Sequence, residues 1–78
     1  MTSTYTLDQL LPGQSGRVTK VSGEGALRRR LMDMGLVAGV DVMLLKRAPL
    51  GDPLEYKLRG YHLSLRKSEA QTIQVDLQ

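Results

Sequence analysis

The sequence lacks cysteine, phenylalanine and tryptophan, and it contains one histidine. Without cysteine, a chain of 78 residues forms no disulfides, and His62 alone cannot build the Cys/His zinc site that stabilises many small domains. The fold therefore depends on apolar packing of Leu, Val, Met, Ile and Ala. This length predicts one compact domain spanning residues 1–78.

Long apolar runs are also missing, since the longest is the tetrapeptide Val42-Met43-Leu44-Leu45. A helix that crosses a bilayer needs roughly 20 apolar residues. Residues 1–5 have neither the basic region nor the apolar stretch of a secretory signal. We therefore expect a cytoplasmic protein without direct membrane insertion.

Positive charge is in modest excess, with 11 basic and 8 acidic residues. This excess raises the hypothesis of nucleic-acid binding. However, the one basic triple, Arg28-Arg29-Arg30, would sweep about 200° of a helix and could not form a flat stripe. Three tyrosines also offer few platforms for stacking bases. We expect no nucleic-acid partner and keep a basic nucleic-acid-binding module as the alternative.

Helical spacing occurs in two segments. Residues 6–11 carry three leucines and stop at Pro12-Gly13, which predicts one short N-terminal helical turn. A longer helix is predicted between Gly23 and Gly35, with Gly35 as its left-handed cap. Leu27, Leu31 and Met34 lie four and three residues apart, the spacing of one apolar helix face. The charges of this helix predict the ion pairs Glu24–Arg28 and Arg29–Asp33.

About five short strands are predicted: the first from β-branched residues, with a bulge because Val18 and Val21 do not share a period of two, and the others from alternation of apolar and polar residues. They lie within residues 14–22, 40–45, 54–59, 62–66 and 73–77, with one helical turn at 67–71 before the last. The tight connection at residues 60–61 marks a β-hairpin. This order predicts a mainly β protein, a small antiparallel barrel with one inserted α-helix.

Several short motifs occur in an order that resembles the FeoA family. They are residues 31–36, Gly39, the hexapeptide Ala48-Pro49-Leu50-Gly51-Asp52-Pro53, Arg59-Gly60, residues 63–66 and Glu69-Ala70. The resemblance covers nearly the whole chain and implies an SH3-like barrel. It also implies a partner, the ferrous iron transporter FeoB with its cytoplasmic GTP-binding domain, whose iron uptake the family helps or regulates. Iron-dependent repressors carry related SH3-like domains, so an iron-repressor-like SH3 domain is a further alternative.

Catalytic and metal-binding groups are scarce. His62 and Ser64 lie two residues apart on one strand, about 6–7 Å apart and beyond direct proton transfer. Gly23-Glu24-Gly25 lacks the Lys-Ser/Thr ending of a phosphate-binding loop. His62, Glu55 and Asp52 are candidate iron ligands by residue type only. We therefore expect no enzymatic activity, no metal site and no cofactor.

A protein partner is the remaining expectation, and the missing aromatic residues exclude the usual proline-peptide groove of SH3 domains. Pro49, Gly51 and Pro53 would stiffen a loop that presents Leu50 as an apolar anchor. Asp52 would cap the turn or meet a basic group of the partner. Further candidate contacts are Arg59, Arg66 and, if exposed, Met32. The oligomeric state stays open, because strand edges can pair with a second copy.

Overall fold

A computed structural model describes residues 5–78; most of the segment inspected for a secretory signal, residues 1–4, lies outside the described residues. In chain order the elements are β1 (Tyr5–Thr6), a 3-10 turn (Leu7–Gln9), β2 (Ser15–Val21), α1 (Gly25–Asp33), β3 (Asp41–Arg47), β4 (Leu54–Leu58), β5 (Tyr61–Leu65), α2 (Lys67–Ala70) and β6 (Ile73–Leu77). None of the helices formed by these residues combines the length and apolar character that a membrane crossing requires.

The strands form one antiparallel sheet in the order β1-β6-β2-β3-β4-β5. The five predicted strands are confirmed, and the predicted bulge lies in β2 between Val18 and Lys20. The sixth strand, β1, was not predicted because two residues are too few to show alternation. Within residues 5–78 no ladder joins β5 to β1, so the sheet is not closed.

The sheet and α1 enclose one apolar core. Its buried members are Leu7, Leu10, Val18, Val21, Leu31, Leu36, Val40, Val42, Leu44, Leu54, Tyr56, Leu58, Leu65, Ala70, Ile73 and Val75. From α1 the core receives Leu31, while Leu27 and Met34 pack against its margin. The predicted helical face is therefore correct. Every fully buried side-chain nitrogen or oxygen in the described residues has a hydrogen-bond partner.

The end of α1 is a Schellman cap built on Gly35. The amide of Leu36 donates to the Leu31 carbonyl at 3.1 Å, and the Gly35 amide donates to the Met32 carbonyl at 3.0 Å. Gly35 has a φ of +101°, a conformation that side chains disfavour. The Tyr61 hydroxyl donates to the Met34 carbonyl, which joins the end of α1 to β5.

The two ion pairs predicted along α1 are wrong. Within residues 5–78 neither Arg28 nor Arg29 forms an ion pair, and Arg28 instead donates from Nε to the Val21 carbonyl at 3.2 Å. Ion pairs between neighbouring turns of an exposed helix contribute only about 0.3–0.5 kcal/mol, so one tertiary hydrogen bond is enough to displace Glu24 from Arg28.

The N-terminal segment is fixed to the sheet by two side chains. The hydroxyl of Tyr56, a fully buried β4 residue, donates to the Leu7 carbonyl at 3.0 Å. Arg47, at the end of β3, donates to the Leu10 carbonyl at 2.6 Å. Burial, reinforced by the Asp8 carboxylate and opposed by Arg47, raises the pKa of the Tyr56 hydroxyl well above its usual value.

Replacing Tyr56→Phe should lower the free energy of unfolding by about 1.5 kcal/mol, because the Leu7 carbonyl loses its donor in a buried site. The wild type should also lose stability as the pH rises above about 10, where tyrosine ionises in the unfolded chain while Tyr56 stays protonated in the folded one. Urea unfolding at pH 7, 10 and 11 measures both effects. A loss of stability above pH 10 that is identical in wild type and Tyr56→Phe would contradict the assignment to Tyr56.

Candidate functional site

The hexapeptide of residues 48–53 forms a closed loop between β3 and β4. The Gly51 amide donates to the Ala48 carbonyl at 2.7 Å, and the Ala48 amide donates to the Pro53 carbonyl at 3.0 Å. Gly51 has a φ of +86°, which suits glycine at this turn. Leu50 lies at the tip with 96% of its surface exposed, the most exposed of the large apolar side chains described. The loop thus presents an isolated apolar side chain on a hydrogen-bonded base.

Asp52 caps the first turn of α2. Its Oδ1 accepts a hydrogen bond from the Lys67 backbone amide at 2.8 Å. In α2 itself the Arg66 amide donates to Glu69 Oε1 at 2.8 Å, and Glu69 also pairs with Arg30. A chain of polar contacts therefore runs from the loop through α2 to α1. The sequence predicted that Asp52 would cap its own turn or meet a basic group of the partner; within the chain its carboxylate instead caps the neighbouring α2.

Two grooves flank the base of this loop. The first, the loop groove, has a volume of about 490 Å³ and is lined by Lys46, Arg47, Ala48, Pro49, Pro53, Glu55 and Ser64. The second, the edge groove, has a volume of about 450 Å³ and is lined by Arg30, Met34, Pro53, Ser64, Leu65, Arg66 and Glu69. Both grooves share Pro53 and Ser64. The loop and the open side of β5 thus belong to one continuous surface.

The predicted contact residues do not all lie on this surface. Pro49 and Pro53 line the loop groove, Pro53 and Arg66 line the edge groove, and residues 50–52 lie in the loop between the two prolines. Arg59 lies in the β4–β5 turn with a φ of +48°, and the five residues of β4 separate it from the loop by about 16 Å. Met32 is 38% exposed but lies beside Arg28 and Arg29, on a different side of α1 from Arg30. Arg59 and Met32 therefore remain predictions for separate contacts.

Five residues of the edge groove were not predicted as site residues, namely Arg30, Met34, Ser64, Leu65 and Glu69. The alternation in β5 marks Ser64 as a polar outer residue, but nothing in the sequence brings α1 to the same edge. Met34 was predicted in the core, and it packs at the core margin where one side also faces the groove.

The three candidate iron ligands do not form a cluster: Asp52 and Glu55 contact other groups, and His62 lies opposite a lysine. Asp52 accepts the Lys67 amide, and Glu55 pairs with Lys46 at 3.2 Å. In the register of β4 and β5, His62 lies opposite Lys57. Within residues 5–78 no three histidine, cysteine, aspartate or glutamate side chains are placed to hold one metal ion.

Replacing Asp52→Ala should lower the free energy of unfolding by about 1 kcal/mol, because α2 loses its capping acceptor. For a chain of this size that is a fall in Tm of roughly 4–8 °C. Asp52→Asn is the matched control, since an amide oxygen can still accept the Lys67 N–H. Thermal unfolding by circular dichroism measures both variants. An alanine variant as stable as the asparagine variant would show that this hydrogen bond contributes nothing.

Within residues 5–78, six antiparallel strands around one core, with α1 over one side and a 3-10 turn near the start, define a small SH3-like protein. The family model of the FeoA domain matches residues 5–77, and the chain belongs to this family. The resemblance drawn from the sequence motifs is thereby confirmed. The family is associated with ferrous iron transport.

Individual relatives support this assignment. A curated Fe(2+) transport protein A/Fe(2+) transporter FeoB fusion protein of Porphyromonas gingivalis is 37% identical over 71 residues, which are 91% of this chain and 8% of that protein. The solved FeoA-like protein of Clostridium acetobutylicum is 42% identical with a TM-score of 0.89, over 99% of this chain and 90% of that one. The FeoA of Stenotrophomonas maltophilia, solved with zinc and described as a procaryotic SH3 domain protein, is 33% identical with a TM-score of 0.82, over 92% and 89% of the two chains.

Proposed function

We propose that this chain is a cytoplasmic accessory protein of ferrous iron uptake, which binds the cytoplasmic part of the FeoB transporter and regulates or assembles it. The P. gingivalis relative supports this partner, because there a similar segment and the transporter belong to one fusion protein. The S. maltophilia relative has been suggested to act as a ferrous iron transport activating factor. In this proposal the chain works through contacts, and GTP hydrolysis belongs to the transporter.

The observation that carries the proposal is the loop around Leu50. An apolar side chain that is almost fully exposed offers surface that only a partner can bury. Because the loop is already closed by hydrogen bonds and capped onto α2 by Asp52, little conformational entropy is lost on binding. Single buried anchors of this kind supply much of the binding energy at protein interfaces.

The basic residues favour a protein partner over nucleic acid. Arg17, Arg30 and Lys46 form ion pairs with carboxylates of the same chain, and Arg28 and Arg47 donate to backbone carbonyls. Positive charge that is neutralised or engaged within the fold contributes little to the phosphate contacts that dominate nucleic-acid affinity. We therefore keep the transporter as the partner and treat nucleic acid as an outcome of the test.

The test is a pull-down of the transporter's purified cytoplasmic GTP-binding domain with the immobilised chain, next to a parallel DNA column. We expect the transporter domain to be retained near physiological salt and DNA to pass through. Retention of DNA with a steep salt dependence, and no retention of the transporter domain, would replace the proposal with the nucleic-acid alternative. GTP hydrolysis by the purified chain alone would overturn the assignment of catalysis to the transporter.

A further inference from the structure

The outer edge of β5 is a strand edge without the usual protection. Within residues 5–78, β5 pairs with β4 on one side and with no strand on the other. Proteins commonly protect such edges with lysine, proline, a bulge or very short strands. The segment Tyr61-His62-Leu63-Ser64-Leu65 has five residues, an uninterrupted register and neither lysine nor proline. This edge is therefore suited to accept another strand.

The register of the hairpin shows which backbone groups point outwards. The hairpin turn was predicted at residues 60–61 but lies one residue earlier: Leu58 and Tyr61 flank Arg59-Gly60, in which both residues have positive φ, as in a type I′ turn. The flanking pair is hydrogen-bonded, and such pairs alternate along antiparallel strands. The N–H and C=O groups of His62 and Ser64 therefore point away from β4. Both residues are exposed, and no hydrogen bond within residues 5–78 uses these backbone groups.

Helix α1 forms the opposite wall of the edge groove, beside this open edge. The hydroxyl of Tyr61 holds the end of α1 through the Met34 carbonyl, and the Arg30–Glu69 pair holds the preceding turn of α1. Met34, Leu65 and Pro53 give the groove an apolar lining. A groove between a helix and a free strand edge, fixed at both ends, is a geometry in which extended peptides bind by adding a strand.

The rim of the groove is basic. The Arg66 guanidinium forms no ion pair within residues 5–78, and Lys67 follows it in the chain. Arg30 keeps 59% of its side chain exposed although it pairs with Glu69. Two cations, Arg66 and Arg30, thus line the groove together with one carboxylate, that of Glu69. Charge complementarity therefore favours an occupant that carries a carboxylate.

We propose that the edge groove binds an extended, acidic segment of the transporter's cytoplasmic part, which adds to β5 as an antiparallel or parallel strand. The backbone N–H of Ser64 donates to a carbonyl of the segment, and Arg66 contacts its carboxylate. This inference rests on the proposed function, because the transporter is the source of the segment. Since the edge groove shares Pro53 with the Leu50 loop, one partner can occupy both.

Ser64→Pro tests the strand addition, because proline removes the outward N–H that the β4–β5 ladder does not use. Ser64→Thr is the matched control that keeps this N–H and suits a strand. Calorimetric titration with the transporter's cytoplasmic domain should show affinity at least tenfold weaker for the proline variant and unchanged for the threonine variant. Arg66→Ala should weaken binding by about fivefold, and less so at high salt. Equal affinity of the proline and threonine variants would overturn the strand addition.

A second measurement does not depend on how well the proline variant folds. Amide hydrogen exchange of the wild-type chain should slow at Ser64 and His62 when the transporter domain is bound. If the wild type bound the transporter domain, and Leu50→Asp abolished that binding, while exchange at both amides stayed unchanged, strand addition would be overturned and the proposed function would stand. No binding by the wild type would instead overturn the proposed function. If exchange at these amides slowed as the concentration of this chain was raised, without the transporter domain, the strand that adds to β5 would be that of a second copy of the chain.

Discussion

Leu50→Asp should weaken binding to the transporter's cytoplasmic domain on the order of 100-fold, while the free energy of unfolding stays within about 0.5 kcal/mol of wild type. Leu50 is 96% exposed and closes no part of the core, so an aspartate costs the folded chain little. In the complex the same carboxylate would have to be buried against the surface that receives the leucine. Calorimetric titration and urea unfolding measure the two quantities on the same preparations.

Leu77→Asp is the matched control for this prediction. Leu77 is another exposed leucine, 38% accessible, and it ends β6, which lies three strands from β4 in the sheet. We expect this variant to bind the transporter domain like the wild type. If the two variants lost equal affinity, any exposed leucine would contribute through nonspecific hydrophobic contact. The Leu50 loop would then not be the specific binding site.

Gly35→Ala should lower the free energy of unfolding by about 2–3 kcal/mol, a fall in Tm on the order of 10–20 °C for a chain of this size. Two causes act together. Its φ of +101° is strained for a residue with a side chain, and a Cβ atom at this position would lie 2.9 Å from the Tyr61 hydroxyl oxygen. The displaced hydroxyl would then lose its hydrogen bond to the Met34 carbonyl. Thermal and urea unfolding measure the loss.

Gly39→Ala separates these causes, because Gly39 has a similar φ of +94° and a Cβ atom added there would meet no other atom within 4 Å. It should show the backbone strain alone, about 1–2 kcal/mol. In a Tyr61→Phe background, the excess cost of Gly35→Ala over Gly39→Ala should shrink, since the clashing oxygen is gone. Equal costs for the two glycines in the wild-type background would show that Tyr61 does not constrain the end of α1.

The fold was largely predictable because its main elements are local and periodic. Alternation identified strands β3 to β6, β-branched residues identified the bulged β2, and the spacing of Leu27, Leu31 and Met34 identified the buried face of α1. Gly35 marked the helix end because a left-handed cap requires a residue like glycine. By contrast, β1 is too short to show a period, and it pairs with β6 at the other end of the chain.

The candidate site was predictable only in part. The prolines and glycine of residues 48–53 mark a rigid turn wherever it lies in the fold, so the loop itself was correctly placed between two strands. The bond from Asp52 to the Lys67 amide spans 15 residues, and the Arg30–Glu69 pair spans a longer distance in sequence. Such contacts depend on how α1, α2 and the loop meet in space. The edge groove was not predicted for the same reason.

The most direct test of the proposed function is a nuclear magnetic resonance titration of the isotope-labelled chain with the transporter's cytoplasmic GTP-binding domain. Because the Leu50 loop and the edge groove form one surface, we predict that the largest shift changes occur at residues 50–52 and 64–66, together with Arg30 and Met34. Residues of β6 should change little. Binding without shift changes in the loop, or no binding at all, would contradict the account.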